Sequence, residues 1–155
     1  MKVLIVGSNG FLGSNIKSIL NNEYEHEVLE ITGKDQIDIT KYDYLDEYLS
    51  KSRPDIVINC AAFVGGISYG YKYPARMLYE NSLMAINLYN ASQKNKVEKL
   101  INPISNCAYP GNLTTYKEDY FSMDRRMIQF TTMELQKDCM YILEKVFIKR
   151  KTFHQ

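Results

Sequence analysis

Gly7, Gly10 and Gly13 follow directly on the apolar run Val3-Leu4-Ile5-Val6. That run is short, β-branched and bounded by glycine, so it predicts a fully buried strand. Beyond it, Leu12, Ile16, Ile19 and Leu20 recur at helical spacing, which predicts a helix over about residues 11–21. Glycines between such a strand and such a helix suit one chemistry, the binding of a dinucleotide pyrophosphate. Gly7 permits a tight turn, Gly10 lets the backbone approach the diphosphate, and Gly13 lets the helix pack close to the strand. The helix N-terminus then offers unpaired N–H groups and a positive dipole end to the phosphates. A hydroxyl and a thiol, Ser105 and Cys107, stand just past a strand predicted over residues 99–104. Ligands of open α/β sheets bind outside the carboxyl ends of the strands, so that position matters.

The elements that must hold these groups alternate. A second strand is predicted over His26–Ile31, followed by a helix carrying Leu45, Tyr48 and Leu49. Thr40, with Asp43 three residues on, reads as the N-cap of that helix. Pro54 closes the connection and Asp55–Ala62 reads as a buried strand. Gly65, Gly66, Gly70 and Pro74 mark a loop. A helix over about residues 75–95 places Met84, Ala85, Leu88 and Ala91 on one face. From about 113 to 132 no period is clear, and Met140, Leu143 and Phe147 then share a helical face. Alternating strands and helices imply a parallel sheet with helices on both faces, in one domain spanning residues 1–155.

Composition narrows the partners. The formal net charge of +1 gives no electrostatic case for nucleic acid or an anionic membrane. No apolar segment approaches the roughly 20 residues that span a bilayer. A strand beginning at Lys2 leaves no room for a signal peptide, and three cysteines without metal-type spacing suit reduced thiols. A cytoplasmic location is therefore expected. His26 and His154 are too few and too far apart for a histidine metal site, and no metal is expected.

Gly7-Ser-Asn-Gly-Phe-Leu-Gly13, Asp38-Ile-Thr40, Asn59-Cys-Ala-Ala-Phe-Val-Gly-Gly-Ile67, Glu80-Asn81 and Ser105-Asn-Cys-Ala-Tyr-Pro110 occur in a familiar order. The chain thereby resembles the extended short-chain dehydrogenase/reductases and, within them, the GDP-L-fucose synthases. The resemblance implies a Rossmann-type doubly wound α/β sheet, and NADPH-dependent epimerisation and reduction of GDP-4-keto-6-deoxy-mannose. It implies cofactor contacts at Gly7, Asn9, Gly10, Phe11, Leu12, Gly13, Lys34, Asp38, Ala61, Ala62 and Lys137. Ser105 would bond the substrate C4 oxygen, Cys107 would remove the proton beside the keto group, and Lys137 would be the catalytic lysine. The partner implied is a nucleotide sugar, and a homodimer is left open.

The residues themselves argue both ways on the cofactor. A carboxylate at the end of the second strand would hold the ribose hydroxyls of NAD, and a basic residue there would accept a 2′-phosphate. Glu30 and Lys34 are both at hand. The resemblance favours NADP over NAD. Asp38 lies near the adenine by similarity, or is a turn carboxylate. Asn81 orders the catalytic end through backbone bonds, or satisfies its own helix.

Two departures stand out. Aligning Leu135-Gln-Lys137 with the family's helix puts Met133 in the tyrosine slot, and a thioether cannot donate a proton. Tyr141 and Lys145 have the family's Tyr-x-x-x-Lys spelling but lie farther from Ser105 than the family spaces them. The segment from Ser122 to Glu134 is atypical: it is a compensated frame change, which suitable codons allow, or a divergent loop. The second departure is length. The family continues into a smaller C-terminal substrate domain that this chain lacks, so a truncated form, inactive alone, is expected; the alternatives are another nucleotide-sugar epimerase or dehydratase, or a non-catalytic dinucleotide-binding remnant.

Overall fold

The computed structural model describes residues 1–65 and 67–103, together with Thr115 and Lys117. Four strands, β1 (Lys2–Val6), β2 (Glu27–Ile31), β3 (Ile56–Asn59) and β4 (Lys99–Ile101), pair in the order β2-β1-β3-β4. Every pairing is parallel, with Val6 level with Ile31 on one side and Asn59 on the other. Parallel neighbours need crossover helices, and the chain supplies them. They are α1 (Phe11–Glu23), α2 (Tyr42–Ser52), a short α3 (Ile67–Lys72) and α4 (Pro74–Lys94).

Side chains alternate across the strands, and the core follows that alternation. Leu4, Val6, Ile31 and Val57 point to one face, where they meet Leu45 and Leu49 of α2 and Leu88 and Ala91 of α4. Val3 and Ile5 point to the opposite face and are also buried. That is the face of α1, whose Lys17 reaches Glu30 of β2. Buried Met84, Ala85, Leu88 and Ala91 are the helical stripe that the sequence implies. In α1 the match is poorer, because Leu12 and Ile19 are exposed and Gly13 is the buried residue.

Three local expectations are corrected. Thr40 does not cap α2: Lys41 takes the N-cap without a side-chain bond, while Thr40 Oγ1 donates to Asp38 Oδ1 at 2.6 Å. An Asx-type bond two residues back has outcompeted the cap. The loop expected over residues 65–74 contains α3. The strand expected over Asp55–Ala62 stops at Asn59, because the Ala61 N–H turns back to the Asn59 side chain at 3.1 Å. Helix α2 ends on Arg53 in the left-handed region, with φ 47° and its N–H on Leu49 O.

The chain divides into two compact units, the first comprising residues 1–63 and 83–103. Residues 67–82 belong to the second. There the Tyr69 and Tyr73 rings lie 4.9 Å apart and the Lys72 ammonium sits 5.3 Å from the Tyr73 ring centre. The expected C-terminal helix with Met140, Leu143 and Phe147 lies outside the described residues.

Candidate dinucleotide site

The order β2-β1-β3 makes the carboxyl ends of β1 and β3 a topological switch point, where crossovers leave in opposite directions and open a crevice. Gly7 stands at its floor with φ +81°, a conformation that side chains rarely adopt. Its N–H donates to Ile31 O at 2.7 Å, and the Ser8 N–H donates to the same oxygen at 3.2 Å. The turn is thus tied to the end of β2. A Cβ on Gly7 would lie 2.8 Å from Ala61 Cα and N, so the glycine also lets the loop after β3 close on β1.

Gly13 is needed on different grounds. A Cβ there would fall 2.3 Å from Gly7 O, so only glycine lets α1 sit this close to the turn. Gly10 is looser, since a Cβ would meet only Gly7 O at 3.3 Å, and its remaining side is open. An open bare Cα is what a closely approaching diphosphate requires. Gly10 is also the N-cap of α1, in extended conformation, with no side-chain cap and no acidic residue in the first turn. The first-turn N–H groups of a helix lack intrahelical partners, and here no carboxylate competes for them. Asn9, Phe11 and Leu12 flank this end in exposed positions. Ser14 Oγ and Asn15 Nδ2 donate to the Phe11 carbonyl at 3.1 and 2.7 Å, so these two polar side chains are engaged with the backbone of the first turn. Such a cradle fits a dinucleotide diphosphate.

Ala61 and Ala62 follow β3 at the same edge, Ala61 half-buried and Ala62 exposed. Two residues that sequence reasoning passed over hold this loop. Asn59 Oδ1 accepts the Ala61 N–H at 3.1 Å, and Asn59 Nδ2 donates to Asn102 Oδ1 at 2.7 Å. An amide N–H needs an acceptor, so the Ala61 bond fixes which way the Asn59 side chain points. The clasp joins the end of β3 to the residue just past β4. Its signal in the sequence was one asparagine inside each of the two predicted strands, Asn59 in Asp55–Ala62 and Asn102 in 99–104.

At the end of β2 the two candidates for the ribose are not equivalent. Both carboxylate oxygens of Glu30 lie 2.9 Å from Lys17 Nζ. The Lys17 ammonium holds the Glu30 carboxyl below its ordinary range. Lys34 is exposed in the turn beyond, where Gln36 Oε1 accepts from Thr32 N at 2.8 Å and from Thr32 Oγ1 at 3.0 Å. Asp38 accepts from Thr40 N at 3.0 Å and from Thr40 Oγ1, the bonds of a turn carboxylate. Burial pushes its pKa up, but the Thr40 bonds and the charges of Lys34 and Lys41 outweigh this and leave it lowered.

Ser105, Cys107 and Lys137 lie outside the described residues, as do Met133, Tyr141 and Lys145. Asn81 Nδ2 donates to Met77 O at 2.8 Å, a bond that satisfies its own helix. Cys60 is half-buried and burial pushes its thiol pKa up. Among the described residues no group of three or more His, Cys, Asp and Glu side chains is placed to hold a metal, and no helix is long and apolar enough to cross a membrane.

Residues 3–127 match the model of the NAD dependent epimerase/dehydratase family. The chain belongs to that family. A GDP-L-colitose synthase of Yersinia pseudotuberculosis is 34% identical over 110 residues, covering 71% of this chain and 35% of that protein. A GDP-L-fucose synthase of Escherichia coli is 32% identical over 109 residues, covering 70% of this chain and 34% of its own. The chain therefore spans about a third of the length of the curated relatives it matches. Among solved structures, a GDP-L-fucose synthetase from Naegleria fowleri superposes with a TM-score of 0.84 at 20% identity, over 99% of this chain and 46% of that one. The same enzyme bound to NADP gives 0.82 at 19% identity, and that likeness concerns the fold.

Proposed function

We propose that this chain carries the NADP(H)-binding part of an epimerase-reductase acting on a GDP-4-keto-6-deoxyhexose, as GDP-L-fucose synthases do. The observation that carries the cofactor reading is the bare-backbone cradle at the β1/β3 switch point, with Gly10 open and the α1 N-terminus uncapped. NADP is favoured over NAD because the Glu30 carboxylate is engaged by Lys17 while Lys34 stands exposed past β2. Relatives named for GDP-sugars support the substrate class.

In this reading NADPH supplies the reducing equivalent. Ser105 polarises the C4 oxygen of the sugar by hydrogen bonding, work for which an oriented donor is suited. Cys107 takes the proton beside the keto group, which requires surroundings that favour its thiolate. Lys137 grips the nicotinamide ribose. Met133 in the tyrosine slot leaves the reduction without its acid, so the chain alone binds cofactor but does not turn over. General acid–base assistance is worth about 10²–10⁴-fold, and substrate positioning contributes still more.

Titration with NADPH tests the reading, with cofactor fluorescence as the signal. Saturable enhancement that Gly10→Val abolishes supports it, and equal signals from both proteins overturn it. Lys34→Ala should weaken NADPH binding but leave NADH binding unchanged. NADPH oxidation with GDP-4-keto-6-deoxy-mannose should be absent in the chain as it stands and in Met133→Tyr. Turnover lost on Tyr141→Phe would instead assign the reduction to the Tyr141 and Lys145 pair.

A further inference from the structure

We propose that Lys17 is a specificity-determining residue of the dinucleotide site, acting through Glu30. By engaging both carboxylate oxygens, it cancels the negative charge that would otherwise oppose a 2′-phosphate at the end of β2. The inference rests on the NADP(H) reading above and assigns the preference to a pair within the βαβ unit as well as to Lys34.

The placement is specific. Glu30 is level with Ile5 in the β1–β2 register, one residue before Ile31, whose carbonyl accepts from Gly7 N and Ser8 N. It is therefore the acidic residue of β2 nearest the end at which a Rossmann unit reads the ribose. Lys17 comes from α1, the helix whose N-terminus faces the phosphate cradle. One ammonium meets two oxygens at 2.9 Å each, so the pair presents little net charge.

Stability does not account for the pair. Its side chains are 37% and 28% exposed, and pairs this accessible contribute little to folding. Its electrostatic effect reaches farther. A lone charge acts over a Debye length, about 10 Å at 0.1 M salt, and Glu30 stands one residue before Ile31, the last residue of β2. NADPH carries an extra phosphate into that region and NADH a neutral hydroxyl, so an uncancelled Glu30 would penalise NADPH alone. The other charges around the turn, Lys34, Asp35, Asp38 and Lys41, are unaltered by a change at position 17.

The test measures Kd for NADPH and for NADH on the full chain and four variants. In Lys17→Met the preference for NADPH should fall about fivefold, as expected for one unit charge in well-solvated surroundings. Lys17→Arg should keep the wild-type preference. Glu30→Gln added to Lys17→Met should restore it, and Glu30→Gln alone should not lower it. At 0.5 M salt the Lys17→Met effect should shrink. A merely structural role would lower both affinities in parallel, and that result overturns the inference, as does a double variant that fails to recover. Wild type that prefers NADH, or binds neither, overturns the NADP(H) reading itself. Wild type that prefers NADPH with a ratio insensitive to Lys17→Met overturns only the role of Lys17.

Discussion

The two edges of the parallel sheet are built from the same strands and solve opposite problems. At the amino edge, polar groups are matched to one another. Lys2 N donates to Asp55 Oδ2 at 2.7 Å, Glu27 N to Met1 O at 3.0 Å, and Glu98 N to Asp55 O at 2.9 Å. At the carboxyl edge, side chains are stripped away. Gly7, Gly10, Gly13 and Ala61 bring backbone against backbone, and the N-terminus of α1 is left without a side-chain cap or a first-turn carboxylate. One edge matches side chain to backbone, and the other leaves the N-cap of α1 unfilled, the space that the proposed cofactor would take. Small residues and an unfilled cap, more than reactive side chains, mark the carboxyl edge.

The sharpest way to break that contrast is to add one carbon at the carboxyl edge. Gly13→Ala places a Cβ 2.3 Å from Gly7 O, and Gly7→Ala places one 2.8 Å from Ala61 while holding φ at +81°. Overpacking costs about 1–3 kcal/mol, and the left-handed backbone adds about 1–2 kcal/mol at Gly7. NADPH binding should be lost in both variants, with a lower urea midpoint. Binding that survives Gly13→Ala at wild-type affinity would show that the approach of α1 to the turn is not needed.

A smaller effect is expected from the clasp behind the same edge. Asn59→Leu removes the acceptor of Ala61 N–H and a donor to Asn102 Oδ1, at about 1–3 kcal/mol of stability. NADPH affinity should fall as well, because the loop carrying Ala61 and Ala62 loses its anchor. Asp55→Ala at the amino edge removes the acceptor of Lys2 N and should cost about 1 kcal/mol in chemical denaturation. There the affinity of the folded protein for NADPH should not change. Equal losses of affinity from Asn59→Leu and Asp55→Ala would abolish the distinction between the edges.

The smallest effect belongs to a pair serving neither edge, Asp46 Oδ2 with Lys94 Nζ at 2.6 Å. The Lys94 ammonium, then Asn95, lowers the Asp46 pKa in the folded chain. A lowered folded value means stabilisation that is present above the unfolded-state pKa and lost as pH falls through the folded one. Thermal midpoints of wild type and Asp46→Asn should differ slightly at neutral pH and converge in acid, below the usual carboxylate range. A gap that widens on acidification would reverse the sign assigned to this pair.

The sequence alone determined the glycine turn, the alternation of strands and helices, and the buried stripe of α4. Each of these follows from periodicity or from a residue type that tolerates one backbone conformation, and both are local properties of the chain. Local spacing wrongly made Thr40 a cap. The choice depended on which of two nearby hydrogen bonds forms. Tertiary structure decided the rest. It gave Gly7 its second constraint, because Ala61 arrives from a strand that is distant in the chain and adjacent in the sheet. It joined Asn59 to Asn102, and it settled that Glu30 is held by Lys17 while Lys34 remains exposed. Those relations depend on strand order and on the face to which each side chain turns, and neither is written in the spacing of residues along one element.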